Sequence, residues 1–223
     1  MTLLPLVLVG GGGHASDVLQ TVEAINVIRP TYRVVGILDD HDVDLRRFAG
    51  RGVAQIGGVD DVVAVDAAYV LCLGWPWTRQ AVARRIGERG HPVPSIVHPS
   101  ADVGAGVELG PGSVVLGHTH LSPYVRLGAH ALVSYLASIG HDTTFGDHAS
   151  VMPNAAVSGG VTGGDRVLVG TGAAVREGIH LGDDVRVGAG AAVVTDVAAG
   201  LTVVGVPARA GQDGDGLGEP GNG

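Results

Sequence analysis

The chain has one cysteine, Cys72, so it can form no internal disulfide. That thiol lies in the apolar run 69–73 with no histidine near it in sequence, the setting of a buried and inert group rather than a nucleophile. Basic residues are scarce: 14 Lys and Arg stand against 22 Asp and Glu, a formal charge of −8. Without a basic cluster there is no footprint for a nucleic acid or an anionic membrane. No run of 18 apolar residues occurs, and residues 1–10 lack the basic start and long apolar stretch of a signal peptide, so no membrane span and a cytoplasmic location are expected. Aromatic residues make up only 4% of the chain, which leaves the core to Val, Ala and Leu.

What the chain does have is a period of six. Every sixth residue from Val97 to Val193 is apolar, through Val103, Leu109, Val115, Leu121 and onward, and only Gly163 interrupts the series. Four places after each aliphatic stands a small or β-branched residue (Ala101, Val107, Ser113, Thr119), and Gly often follows the aliphatic directly (Gly104, Gly110, Gly128, Gly140). A helix needs a period of 3.6 and a strand a period of two, so neither fits. A hexad fits a triangular parallel β-helix with one short strand per side, three hexads per coil, and residues 18 apart stacked. With strands ~4.8 Å apart, five to six coils make a prism roughly 25 Å tall. The many glycines are then expected to supply corner conformations with positive φ.

The first part of the chain differs. Residues 6–9 form an apolar run, followed by Gly10, Gly11, Gly12, Gly13 and His14, then a helical pattern carrying Val18, Leu19, Val22 and Ile25. Strand, Gly-rich turn and helix in that order let backbone N–H groups approach a phosphate. The strict glycine spacing is met only with Ala15 in the last place, so the motif alone is also compatible with a tight turn that binds nothing. A second strand over 33–38 ends in Asp39 and Asp40, which suit either a ribose or base contact or simple turn chemistry. A third strand spans 69–74, and the Trp75, Pro76, Trp77 segment leads into a helix for which Thr78 is the expected cap, with Arg79 expected on its solvated surface. This is a small Rossmann-like unit with a three-stranded parallel sheet, too short for a full dinucleotide fold. The expected domains are 1–92, a β-helix over 93–208, and a tail 209–223 expected to be disordered from Gly211 on.

Among ten histidines, His141 stands out: it follows an inward aliphatic and a glycine, and Asp142 follows it directly. A carboxylate beside an imidazole orients it for proton removal near neutral pH. His130 and His148, 18 apart, are expected to form a surface ladder, whereas His118, His120 and His180 have no carboxylate next to them in sequence. No serine or cysteine is paired with a histidine so as to suggest a covalent step. A zinc site of the kind that resembles the γ-class carbonic anhydrases needs a histidine about two coils before a close pair, and 36 residues before His141 stands Ala105, so no metal is expected.

The stretches 10–15 (GGGGHA), 38–40 (LDD), the hexads, 139–142 (IGHD) and 205–208 (GVPA) together resemble the left-handed β-helix sugar acyltransferases of the sialic acid O-acetyltransferase type, which include nucleotide-linked amino-sugar N-acetyltransferases. The resemblance covers Leu6 to about Arg209. It implies a homotrimer, with acetyl-CoA between adjacent prisms and a sugar nucleotide on the N-terminal domain. By position, it implies His141 as general base with Asp142 as its partner, Gly10, Gly12, Gly13, His14, Asp39 and Asp40 around the nucleotide, and Ser150, Gly159 and Thr171 along acetyl-CoA. Ser150 stands where some relatives carry a second histidine, and the Trp75–Trp77 segment departs from their polar loop. The implied activity is direct acetyl transfer to a nucleotide-linked amino sugar of the 4-amino-4,6-dideoxyhexose type. Sugar O-acetylation and a non-catalytic sugar-nucleotide-binding trimer remain the alternatives.

Overall fold

The computed structural model describes residues 2–87 and 92–211. Its first part is a parallel sheet with strands β1 (Leu4–Val9), β2 (Tyr32–Leu38), β3 (Gln55–Gly57) and β4 (Ala68–Leu71) in the order β3-β2-β1-β4. Helix α1 (Gly13–Ile28) follows β1, and α2 (Pro76–Ile86) follows β4. The sheet thus has four strands where sequence predicts three. The fourth strand, β3, falls within residues 53–57, which the sequence leaves open as a short strand or a connector; it is short, lies at the edge and exposes Ile56, so no buried apolar pattern decides between the two. Helix α2 begins at Pro76 with Trp75 in the cap position, three residues ahead of the expected cap Thr78, because proline's fixed φ suits the first helical turn.

From Ile96 onward the chain winds into coils of two-residue parallel strands, each hydrogen-bonded to the strand 18 residues away until the last coil, where Arg186–Val187 pairs with Thr202–Val203 at an offset of 16: Val114–Val115 pairs with Leu132–Val133, which pairs with Ser150–Val151. Three faces result. The first runs from Ile96–Val97 to Thr202–Val204, the second from Asp102–Val103 to Ala192–Val193, and the third from Glu108–Leu109 to His180–Leu181. The inward residue of each strand joins one core, with Val115, Leu121, Leu127, Val133, Ile139 and Phe145 all buried. Gly163, the exception in the series, makes room for Phe145: a Cβ there would lie 2.2 Å from the Phe145 ring. At the C-terminal end, Arg209–Ala210 pairs antiparallel with Val203–Val204, so these two residues belong to the sheet and not to the expected tail. Residues 212–223 lie outside those described.

The glycines divide into two kinds, which corrects the expectation that the residue after each aliphatic takes positive φ. Positive φ falls three places after the aliphatic, at Gly106, Gly112 and Gly160 but equally at His118, His130, Leu136 and Asp142. The glycine directly after the aliphatic is required for space: a Cβ on Gly110 or Gly140 would come within 2.4 Å of the backbone nitrogen of the next coil, at Ala129 and Gly159 respectively.

The first face of the prism is covered by the N-terminal sheet and its helices. Leu6, Leu8, Ala15, Val18 and Val22 share one apolar cluster with Ile96, Val114, Leu116 and Leu132 of the coils. Arg79, expected on a helix surface, is instead 2% exposed in this seam. Its Nε donates to His130 O (2.7 Å), Nη1 to Leu73 O (2.7 Å) and Gly74 O (3.1 Å), and Nη2 to His148 O (2.6 Å), Ala149 O (3.0 Å) and Ser150 Oγ (2.9 Å). No carboxylate pairs with it among the described residues, and burial lowers its pKa to about 9. The Trp75 and Trp77 rings pack together at 5.2 Å, and Arg186 sits 4.1 Å over Trp77, so this segment anchors α2 to the upper coils. Cys72 is buried, which pushes its thiol pKa up.

His130 and His148 do stack, at 5.3 Å and 5°, but beneath Tyr69 rather than on a surface ladder, and neither Nδ1 has a partner. Burial first, and then charge (Arg79 for His130; His130 and Arg79 for His148), lowers both pKa values from 6.5 to about 4. Both are neutral in the folded protein and take up protons on unfolding, so their contribution to stability is complete above pH 6.5 and is lost as the pH falls toward about 4. Unfolding by denaturant at a series of pH values should show this loss, and His130→Phe should flatten it. Arg79→Met should strand several carbonyls, at roughly 1–3 kcal/mol each, and lower Tm by on the order of 10 °C. An unchanged Tm would show that the seam does not depend on the guanidinium.

Candidate active site

The corner between the second and third faces carries His141. The strand Ser138–Ile139 ends there, and Gly140 lets the backbone pass against Gly159 of the next coil. His141 Nδ1 lies 2.8 Å from Asp142 Oδ2, and both side chains are exposed. Asp142 takes φ 57, and its N–H donates to Pro123 O, so the dyad is tied to the coil below. With Nδ1 facing a carboxylate, the ring proton belongs on Nδ1 and the lone pair on Nε2. That Nε2 lies over Gly159, where a Cβ would come within 2.8 Å of it. Gly160 N–H donates to His141 O, whereas the N–H of Gly159 has no acceptor among the described residues. A basic nitrogen and an unspent backbone donor therefore stand together at one exposed corner.

The other residues implied for acetyl-CoA do not join them. Thr171 is exposed, but on the corner between the first and second faces, across the second face from Gly159. Ser150 is fully buried in the seam; its Oγ donates to Gly74 O (2.9 Å) and accepts from Arg79, so it is closed to a ligand and its expected contact with acetyl-CoA is not met. A serine outward on the covered first face has no route to either open face.

The Gly-rich turn sits where β1 ends and α1 begins. Gly10 takes φ +98 and its N–H donates to Leu38 O. Gly12 caps α1 without a side-chain bond, and the first turn has no acidic residue, leaving the helix start open to an anion. Asp39 holds this turn in place, with Oδ2 accepting from Gly11 N (2.7 Å) and Oδ1 from His41 N (2.9 Å). Asp40 is committed elsewhere: it accepts from Val59 N (3.0 Å) and pairs with Arg85, which also pairs with Asp60. His14 is largely buried; desolvation first, then Arg79, lowers its pKa to about 4, so it is a neutral hydrogen-bonding group at neutral pH. A cleft of about 340 Å³ opens one turn further along α1, lined in part by Asp17, Gln20, His98, His118 and Tyr135.

Sequence reasoning misses Arg47, whose Nη1 lies 3.2 Å from where a Cβ on Gly13 would stand, a guanidinium beside the glycine turn. Its only sequence signal is that it belongs to a basic pair, Arg46 and Arg47, in a polar connector. His120, which has no neighbouring carboxylate in sequence, has one in space: its Nδ1 is 2.8 Å from Asp102 Oδ2, one coil below. No cluster of three or more metal-ligating side chains occurs among the described residues.

Two comparisons locate this arrangement among known proteins. Residues 5–86 match the profile of the PglD N-terminal domain. The whole chain superposes on PerB from Caulobacter crescentus, solved with CoA and GDP-perosamine, with TM-score 0.83 and 29% identity over 95% of this chain and 99% of that one. It superposes equally on the acetyltransferase domain of PglB from Neisseria gonorrhoeae FA1090 in complex with acetyl coenzyme A, with TM-score 0.84 and 27% identity over 94% and 100%. WeeI from Acinetobacter baumannii AYE, at 22% identity and TM-score 0.80, shares the fold. No curated protein matches by sequence. The chain folds as a left-handed parallel β-helix of hexapeptide repeats behind a small parallel-sheet domain, the architecture of these solved acetyltransferases. More narrowly, its first domain is similar to the PglD N-terminal domain.

If Asp39 is what holds the glycine turn, Asp39→Ala should speed amide exchange at Gly11 by at least about tenfold, the equivalent of one charge-assisted hydrogen bond. Protection unchanged from the native protein would mean that the turn holds its shape unaided.

Proposed function

We propose that the protein transfers an acetyl group from acetyl-CoA to the amine of a nucleotide-linked amino sugar, of the 4-amino-4,6-dideoxyhexose type. The observation that carries this reading is the placement of His141 Nε2 over the Cβ-less Gly159, with Nδ1 held by Asp142. Both solved relatives at 27–29% identity are acetyl- or N-acetyltransferases by description, with CoA or acetyl-CoA bound.

The chemistry follows from these groups. As the sugar amine attacks the thioester carbonyl, it must lose a proton, which His141 Nε2 accepts while Asp142 stabilises the resulting imidazolium. The Gly159 N–H donates to the oxygen on which negative charge develops. When the tetrahedral adduct collapses, the C–S bond breaks and His141 returns its proton to the thiolate sulfur. Nothing need be acylated on the way, so transfer is direct.

The Gly10–His14 turn and the start of α1 receive the diphosphate, with Arg47 as its counter-charge. Asp39 retains lone pairs for a ribose hydroxyl while it holds the turn, and Asp40 acts behind it through Arg85. The cleft beside α1, lined in part by Asp17 and Gln20, gives the hexose room one turn beyond His14. Since Thr171 and Gly159 flank one face from opposite corners, a groove using both needs a second prism against that face, which supports a homotrimer. Acetyl-CoA and sugar nucleotides as co-substrates support a cytoplasmic location.

Thiol release from acetyl-CoA, measured with UDP-, GDP- and dTDP-linked 4-amino sugars, tests the reading. One donor should turn over strongly, and His141→Ala should lose about 10²–10⁴-fold in kcat with nucleotide binding retained. Gly159→Ala should lose about 10²-fold by displacing the imidazole. Initial-velocity lines should intersect; parallel lines would indicate an acylated enzyme instead.

A further inference from the structure

One coil below His141, on the same corner, lies a second hydrogen-bonded chain of catalytic residue types. Asp102 and His120 are direct partners in the ladder of the second face. Asp102 Oδ2 lies 2.8 Å from His120 Nδ1, and His120 Nε2 lies 3.1 Å from Ser122 Oγ. The carboxylate assigns the ring proton to Nδ1, which leaves the Nε2 lone pair to accept the serine hydroxyl. Carboxylate, imidazole and hydroxyl in that order, at those distances, are the working arrangement of serine acyl-transfer enzymes, whatever the fold. His98 and Ser100 offer a contrast: Ser100 Oγ and Ser100 N both meet the same nitrogen, His98 Nδ1, and no carboxylate backs that ring among the described residues.

We propose that Asp102, His120 and Ser122 form a second catalytic site, in which Ser122 takes an acyl group from an activated ester or thioester. In the single chain the His120 side chain is 53% exposed, near the N-terminal end of the second face. The turn at 104–106 lies directly beneath Ser122, since a Cβ on Gly104 would come within 2.9 Å of the Ser122 carbonyl carbon. The N–H groups of Ala105 and Gly106 in that turn make no hydrogen bond among the described residues, which leaves them free to donate to a developing oxyanion. In the first step Ser122 Oγ bonds to the acyl carbon as His120 Nε2 takes the hydroxyl proton. The bond to the leaving alkoxide or thiolate then breaks, and His120 protonates it. In the second step His120 removes a proton from water as water attacks the acyl-serine; the carboxylic acid departs and Ser122 recovers its proton. Neither step depends on His141 or on the amino-sugar reading.

The test is 4-nitrophenyl acetate hydrolysis together with labelling by a fluorophosphonate, with the adduct located by peptide mass spectrometry. The expected results are a fluorophosphonate adduct on Ser122 and nitrophenol release that falls about 10²-fold or more in Ser122→Ala and His120→Gln. Asp102→Asn should slow labelling with the serine still present. Ser122→Ala should keep its Tm and any amino-sugar transfer, since Ser122 lies outside the His141 site. An adduct on another residue, no adduct at all, or hydrolysis undiminished in Ser122→Ala would overturn the proposal.

Discussion

The prism and the corners it presents depend on the backbone hydrogen bonds between successive coils. Because each two-residue strand pairs with the strand 18 residues on, the ladder places side chains from distant points of the chain within contact distance without any local preference for it. His141 meets Gly159, and His120 meets Asp102, for this one reason. The ladder also explains why small corner residues matter: with coils one strand spacing apart, a Cβ on Gly140 would strike the next coil. The corner of His141 is therefore assembled by the core rather than by a loop, and its geometry is as rigid as the stack of aliphatics behind it.

A prism has three faces, and the chain uses them differently. The first is sealed by the N-terminal sheet through a shared apolar cluster and through Arg79, whose guanidinium meets only carbonyl oxygens and one hydroxyl. A buried cation without a counter-ion is costly unless every donor is satisfied, and these contacts satisfy them. The arrangement fixes the glycine turn relative to the coils, since Arg79 bonds to the segment after β4 on one side and to the His130 and His148 corner on the other. The second face is not covered by the N-terminal domain and carries outward small residues, Ser138, Ala156, Ala174 and Ala192, between the corner of His141 and that of Thr171.

Much of this was legible in the chain. A period of six that holds phase from Val97 to Val193 determines the prism, and the neighbours His141 and Asp142 show as a dyad because they are adjacent in sequence. The contacts of Arg79 were not legible, for they join residues 51 to 71 positions apart across two different architectures, and no pattern in either one encodes the other. For the same reason the resemblance sets Ser150 along acetyl-CoA: whether its face is open or covered depends on where the N-terminal sheet docks, which the position of Ser150 in the chain does not show. The Asp102 and His120 pair lay between these cases. Their separation is one full coil, so the period that predicts the prism also predicts their contact once it is applied to pairs of polar residues as well as to the core.

The central claim is that His141 Nε2 and the Gly159 N–H together receive the thioester. The most direct measurement is a crystal structure of the protein with acetyl-CoA and a non-reactive sugar nucleotide. The account predicts the thioester oxygen at about 3 Å from the Gly159 N, with the sugar carbon that would bear the amine facing His141. Acetyl-CoA bound with its thioester remote from that corner would contradict it.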